Sequence, residues 1–268
     1  INTSYTENLI TGETNTFNST FDVTVVNGFK DMVVTLNKNK YKYGETLDYT
    51  AVVTYTDGTT KDVTLEDTMV TSFDNTVIGE QEVEFTYTET IADVGDIEIK
   101  RTATVEVINY LTSIEATINS EGVKYGEELD YTVVATYANG NTQDITTFEN
   151  LSTTYDKTLE GQQEIVFTYY EEYDGFDRIE VTDTKYITVV DYPTEMVITS
   201  YPIKSVYKYG EEIDLTGLEI DIKYASGKTK DYEIPEGNGY NPNQIGIQKI
   251  EYLYGEVFSW LDESFSFS

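Results

Sequence analysis

The phrase Tyr-Gly-Glu occurs at Tyr43-Gly44-Glu45, Tyr125-Gly126-Glu127 and Tyr209-Gly210-Glu211, and each time it opens an apolar run that ends at a turn dipeptide. Those dipeptides are Asp57-Gly58, Asn139-Gly140 and Ser226-Gly227, and a second glycine follows at Gly79, Gly161 and Gly246. From the first copy to the second, all three markers advance by 82 residues. Such a chain has to fold as an array, because each copy is one folding unit and a role given to one residue must be asked of its equivalents. The 268 residues hold three copies and part of a fourth.

Within a copy the apolar residues fall on alternate positions. Leu47, Tyr49, Ala51, Val53 and Tyr55 are separated mostly by Thr and Asp, which is the pattern of a half-buried strand. The second copy repeats it with Leu129, Tyr131, Val133, Ala135 and Tyr137. In the third, an insertion at Thr216-Gly217 shifts the phase to Leu218, Ile220, Ile222 and Tyr224. Each run leads through its turn dipeptide, expected as a tight two-residue hairpin, into a partner such as Thr60 to Thr64. After the second glycine comes another alternating strand: Val83, Phe85, Tyr87, then Ile165, Phe167, Tyr169, then Ile250, Tyr252, Tyr254. Closing strands end at Val105 and Val107, Ile187 and Val189, and Phe265 and Phe267. Opening strands cover Met32 to Leu36, Leu111 to Ile118 and Met196 to Thr199. About seven short strands per unit, with turn signals every 8–12 residues, is the profile of an immunoglobulin-like sandwich.

The order Tyr-Lys-Tyr-Gly-Glu-x-Leu-Asp, apolar run into Thr-Tyr, x-Asp-Gly-x-Thr-Lys-Asp-Val, then Gly-x-Gln-x-Val and a final hairpin resembles the group-three bacterial immunoglobulin-like domains. The motif is fullest in the third copy, from Tyr207 through Leu218; the first two copies lack the Thr-Gly-Leu insertion and have longer final hairpins. The resemblance covers 29–268. It implies an extracellular module, tandem on cell-surface proteins, adhesins or phage virions, with no catalytic residue to carry over.

Composition narrows the chemistry. With no Cys and no His, disulfides, thiolate chemistry and imidazole ligands are all removed. A net charge of −32 repels phosphate backbones and anionic lipid, so nucleic acid is not an expected partner. No apolar run reaches the roughly 20 residues of a membrane helix, and Ile1 opens no basic-then-apolar leader, so a soluble, interior piece of a longer protein is expected, without membrane insertion. Twenty-four Tyr and abundant Thr argue against disorder.

No residue pattern announces an enzyme. Serine lacks a histidine base and a Gly-x-Ser-x-Gly elbow, and among 49 carboxylates many pairs are close by chance. Two hairpin tips, Asp93-Val94-Gly95-Asp96 and Asp174-Gly175-Phe176-Asp177, offer oxygen ligands to calcium, yet Asp and Gly also favour turns for backbone reasons alone. Those tips are equally where a rigid sandwich would hold a glycan or protein receptor. Trp260 reads as an apolar filler at the end of the third sandwich, or as a contact residue. Lys42 and Lys124 read as charges on exposed strand edges, with an internal amide cross-link to asparagine as the alternative.

The expected fold is therefore all-β, with tandem immunoglobulin-like sandwiches arranged end to end: a partial unit at 1–28 and units at 29–110, 111–192 and 193–268. The expected role is a non-catalytic stalk or spacer of an extracellular, cell-surface or virion assembly, partnered by neighbouring units or subunits. The alternatives are an adhesion module using the long tips and an accessory region of a surface enzyme. Residues 1–28 parallel a final hairpin, with Ser4 to Ile10 matching Thr86 to Ile91. They are expected to complete a sandwich supplied by an upstream stretch or a neighbouring subunit, and a free hairpin with a solvated apolar face would count against donation.

Overall fold

The structure is a computed structural model that describes residues 2–8, 11–12, 14–235, 239–258 and 263–267. It is all-β; among the described residues there is no helix. The chain divides into two compact units, Ile1–Asn109 and Tyr110–Ser268.

The first unit begins with a hairpin of β1 (Asn2–Asn8) and β2 (Thr14–Thr20), followed by 21–28, which join no sheet. Then come β3 (Phe29–Leu36), β4 (Lys40–Lys42), β5 (Tyr49–Tyr55), β6 (Thr60–Asp62), β7 (Met69–Thr71), β8 (Gly79–Ile91) and β9 (Gly95–Ile108). They form a three-stranded sheet, β3-β5-β6, and a four-stranded one, β4-β9-β8-β7. One apolar cluster takes Met32, Ala51 and Val53 from the first sheet and Tyr41, Val83, Phe85, Val105 and Val107 from the second, so the two sheets face each other as a sandwich. The alternation explains which side chains meet: residues two apart on a strand share a face. Phe85 is fully buried, and Tyr49 packs edge-on to it at 5.0 Å between ring centroids.

The second unit repeats this arrangement with β10 (Leu111–Ile118), β11 (Gly122–Lys124), β12 (Tyr131–Tyr137), β13 (Thr142–Asp144), β14 (Leu151–Thr153), β15 (Gly161–Glu171) and β16 (Ile179–Val190). Its sheets are β10-β12-β13 and β11-β16-β15-β14, closed over Val133, Ala135, Ile165, Phe167, Ile187 and Val189. Tyr131 and Phe167 repeat the edge-on pair at 5.0 Å.

From residue 193 onward the pattern is incomplete. A sheet of β17 (Pro193–Ser200), β18 (Glu219–Tyr224) and β19 (Thr229–Asp231) forms, with Ile220 and Ile222 buried, and β20 (Tyr254–Phe258) pairs with β21 (Glu263–Phe267) as a separate hairpin. The strand expected through Ile250 and Tyr252 is absent, although exposure still alternates along 247–253. Among the described residues, the ladder with β21 covers only Tyr254–Phe258, with Tyr254 opposite Phe267.

One further expectation is corrected. The three turns are not two-residue hairpins: Tyr55 N–H bonds the Thr59 carbonyl, Tyr137 that of Asn141 and Tyr224 that of Lys228, which leaves three residues in each loop. Only the glycines, Gly58, Gly140 and Gly227, take positive φ, giving the type I turn followed by a left-handed residue that matches the strand twist. Among the described residues the hairpin β1–β2 pairs with no further strand, and Tyr5 and Phe17 face solvent.

Candidate functional site

The repeated motifs are occupied in holding loops. Glu45 N–H bonds the Lys42 carbonyl at 2.9 Å with Gly44 at φ 81°, a type II turn that needs glycine at its third position. The Glu45 carboxylate then accepts from Lys42 N–H at 2.9 Å and pairs with Lys38. Glu211 does the same with Lys208 N–H and Lys204, and Glu127 accepts from Lys124 N–H at 3.3 Å. Two residues past the second glycine, a glutamine amide clamps the preceding loop. Gln81 donates to the Asp74 and Val77 carbonyls, Gln163 to Asp156 and Leu159, and Gln248 to Asn241 and Gln244.

Many carboxylates are spent the same way. Asp57, Asp62, Asp74, Asp144 and Asp156 each accept from the backbone N–H and hydroxyl of the threonine two residues on, the Asx-turn geometry. Those hydroxyl and amide donors hold the aspartate pKa values below the usual range. Among the described residues, each carboxylate that departs from its ordinary pKa moves down, whereas a general acid at neutral pH needs a raised one.

The densest polar cluster is a tyrosine cage around Glu171. It accepts from Tyr137 at 2.6 Å, from Tyr169 at 2.9 Å and from Tyr173, whose oxygen in turn receives Leu111 N–H at 2.8 Å. Tyr55 donates to Glu89 at 2.8 Å and Tyr224 to Glu256 at 3.2 Å, so the pair recurs in every copy. Burial, then the neighbouring carboxylate, pushes the Tyr55 and Tyr169 phenols up to about 12. Sequence reading missed this cage; the signal was Glu89, Glu171 and Glu256, each two residues beyond a buried-face tyrosine.

The tip aspartates lie in the hairpin turns. Asp93 sits at the β8–β9 turn with φ 64°, and Asp96 accepts from Thr90 across the ladder at 2.6 Å. Asp174 and Asp177 are exposed in the turn closed by Phe176 N–H on the Tyr173 carbonyl. Among the described residues no group of three or more acidic side chains is gathered to hold a metal ion. Lys42 and Lys124 end the edge strands β4 and β11, and Lys124 Nζ lies 5.7 Å from the Tyr192 ring centroid. Trp260 lies outside the described residues.

The connections between copies recur as well. Thr56 N–H bonds the Gly28 carbonyl, Ala138 that of Tyr110 and Ala225 that of Tyr192, all at 2.9 Å. Asn27 accepts from the Thr56 hydroxyl and Asp57 N–H, and Asp191 from Ser226 N–H and hydroxyl. Lys228 also pairs with Glu160 across the 192 connection.

One concave surface stands out in the second unit: an apolar groove of about 670 Å³ lined by Ile198, Tyr207, Leu218, Ile250 and Tyr252 among others. No protein-family model matches the chain, and no curated protein does.

Proposed function

We propose that the chain is a tension-carrying spacer, non-catalytic, built from tandem immunoglobulin-like units of an extracellular surface or virion assembly. One observation carries this reading. In each complete segment a strand near its start lies parallel to the end of its last strand: β4 beside β9, as Tyr41↔Val107, and β11 beside β16, as Val123↔Val189. Tyr43 N–H on the Ile108 carbonyl at 2.9 Å and Tyr125 N–H on that of Val190 at 2.8 Å extend the two pairs. Pulling on the two ends of a segment shears such a parallel pair, so its hydrogen bonds must break together rather than one after another. The downward-shifted, backbone-capping carboxylates support the non-catalytic part of the reading. Single-molecule pulling tests it. Each complete segment should give its own rupture, with a length gain near that of 82 extended residues, roughly 270–295 Å less its folded length. Featureless extension at low force would sink the proposal.

A further inference from the structure

The copies follow one another through joints with almost no slack, and one such joint lies wholly inside the second unit. Only Asp191 and Tyr192 separate β16 from β17, and the next residue, Pro193, fixes its own φ and restricts that of Tyr192. Asp191 is a buried carboxylate, 7% exposed. Its Oδ1 accepts from Tyr192 N–H at 3.1 Å and from Ser226 N–H at 3.0 Å, and its Oδ2 takes the Ser226 hydroxyl. Ser226 lies in the β18–β19 turn, so the end of one copy is tied to the turn of the next. Ala225 N–H on the Tyr192 carbonyl at 2.9 Å and the Lys228–Glu160 pair close the same joint. Each of the three groups on Asp191 donates. A carboxylate at 226 would set an acceptor-only group against a buried one, and like charge would meet like.

The joint inside the first unit carries its charge on the other side. Asn27 Oδ1 accepts from Asp57 N–H at 3.1 Å and from the Thr56 hydroxyl at 2.8 Å, and Thr56 N–H bonds the Gly28 carbonyl. Here the turn residue is the carboxylate. The Thr59 hydroxyl and N–H, then the Asn27 side-chain amide, hold the Asp57 pKa below its ordinary value. An amide suits position 27 because its oxygen accepts while its nitrogen donates. At the equivalent places of the intervening copy stand Asn109 and Asn139. The pairs are thus Asn with Asp, Asn with Asn, and Asp with Ser; none sets two acidic residues together in a chain that has 49.

We propose that these two positions form a lock of matched charge: the residue before the joint and the residue before the turn glycine hold the chain against the following turn only while at most one of them is a carboxylate. Asp191 and Ser226 are then positioning residues that fix the angle of the 191–192 joint. The third copy can follow the second because its turn carries Ser226 and not an aspartate like Asp57. The lock does not depend on the tension-carrying reading, since it governs orientation and not rupture.

Exchanging the charges tests the lock. Because the chain has no native cysteine, spin labels at Thr182→Cys and Thr229→Cys, both exposed and on opposite sides of the joint, report the distance across it in the full chain. The labelled chain should give one narrow distance distribution. Ser226→Asp should broaden it and lower the melting temperature, although the equivalent turn of the first copy tolerates aspartate as Asp57. Adding Asp191→Asn, which recreates the Asn27–Asp57 pair, should restore both. The rescue is read equally in the melting temperature, so a Ser226→Asp chain too unstable to label still reports. A broad distribution in the chain with native Asp191 and Ser226 overturns the proposal, as does a Ser226→Asp chain that is equally narrow and stable. A double variant no better than Ser226→Asp also overturns it, by showing that aspartate harms the turn itself and not the lock.

Discussion

Gln163 shows how much a single side chain carries in this scaffold. It is nearly buried, its amide nitrogen holds two carbonyls of the 156–159 loop and its oxygen takes Asp156 N–H at 3.1 Å. Gln163→Ala should destabilise its segment by about 1–3 kcal/mol in chemical denaturation, the usual cost of stranding buried polar groups. Phe167→Ala, which empties a fully buried ring site, should cost about 3–5 kcal/mol. Two titrations bracket stability. The Asx-turn aspartates have folded pKa values below 3.8, so they contribute stability above the unfolded value that is lost as pH falls through the folded one. The Tyr55 and Tyr169 phenols rise from 10.0 to about 12, so their contribution is complete below pH 10 and disappears as pH approaches 12. Melting temperature followed against pH should therefore drop at both ends, and Tyr55→Phe with Tyr169→Phe should lessen the alkaline drop while leaving the acid one, with Tyr137, Tyr173 and Tyr254, also raised by burial, carrying the rest.

At the level of strands and turns, period-two alternation made most of the fold legible. It located β5, β8, β12, β15 and β18, and the buried positions Ala51, Val53, Phe85, Val133 and Phe167 lie on the face the pattern assigned. Alternation is a property of one strand, however, and a ladder needs two. The run Ile250, Tyr252, Tyr254 alternates as its counterparts do, yet among the described residues strand pairing begins only at Tyr254. The turn type was likewise hidden: Asn-Gly and Asp-Gly suit two- and three-residue loops, and only the Tyr137 to Asn141 bond decides between them. The tyrosine cage joins Tyr137 to Glu171 across 34 positions, a distance that no local pattern spans. For the turns, Gly140→Ala should destabilise by about 1–2 kcal/mol from φ +82° strain alone, since nothing lies within reach of an added Cβ. Equal stability of the alanine variant would mean that the loop has another accessible turn.

Across the whole molecule, 49 acidic residues against 17 basic ones mean that folding compacts like charge, even though the individual aspartates are well used. Ion pairs such as Lys100–Glu84 and Lys223–Glu195 sit on exposed surface and offset little of that repulsion. Added electrolyte should therefore stabilise the fold by screening, and divalent cations should do so at lower concentration than sodium, with calcium and magnesium nearly equivalent. A dedicated calcium site at the tips would behave differently. It would saturate at a fixed stoichiometry, prefer calcium over magnesium and survive high monovalent salt. Replacing Asp93, Asp96, Asp174 and Asp177 with asparagine separates the two, because it removes only four carboxylates from a surface that keeps 45. If screening is the mechanism, the calcium-dependent rise in melting temperature should persist in that variant. Abolition of the rise would instead place a specific ion at the hairpin tips.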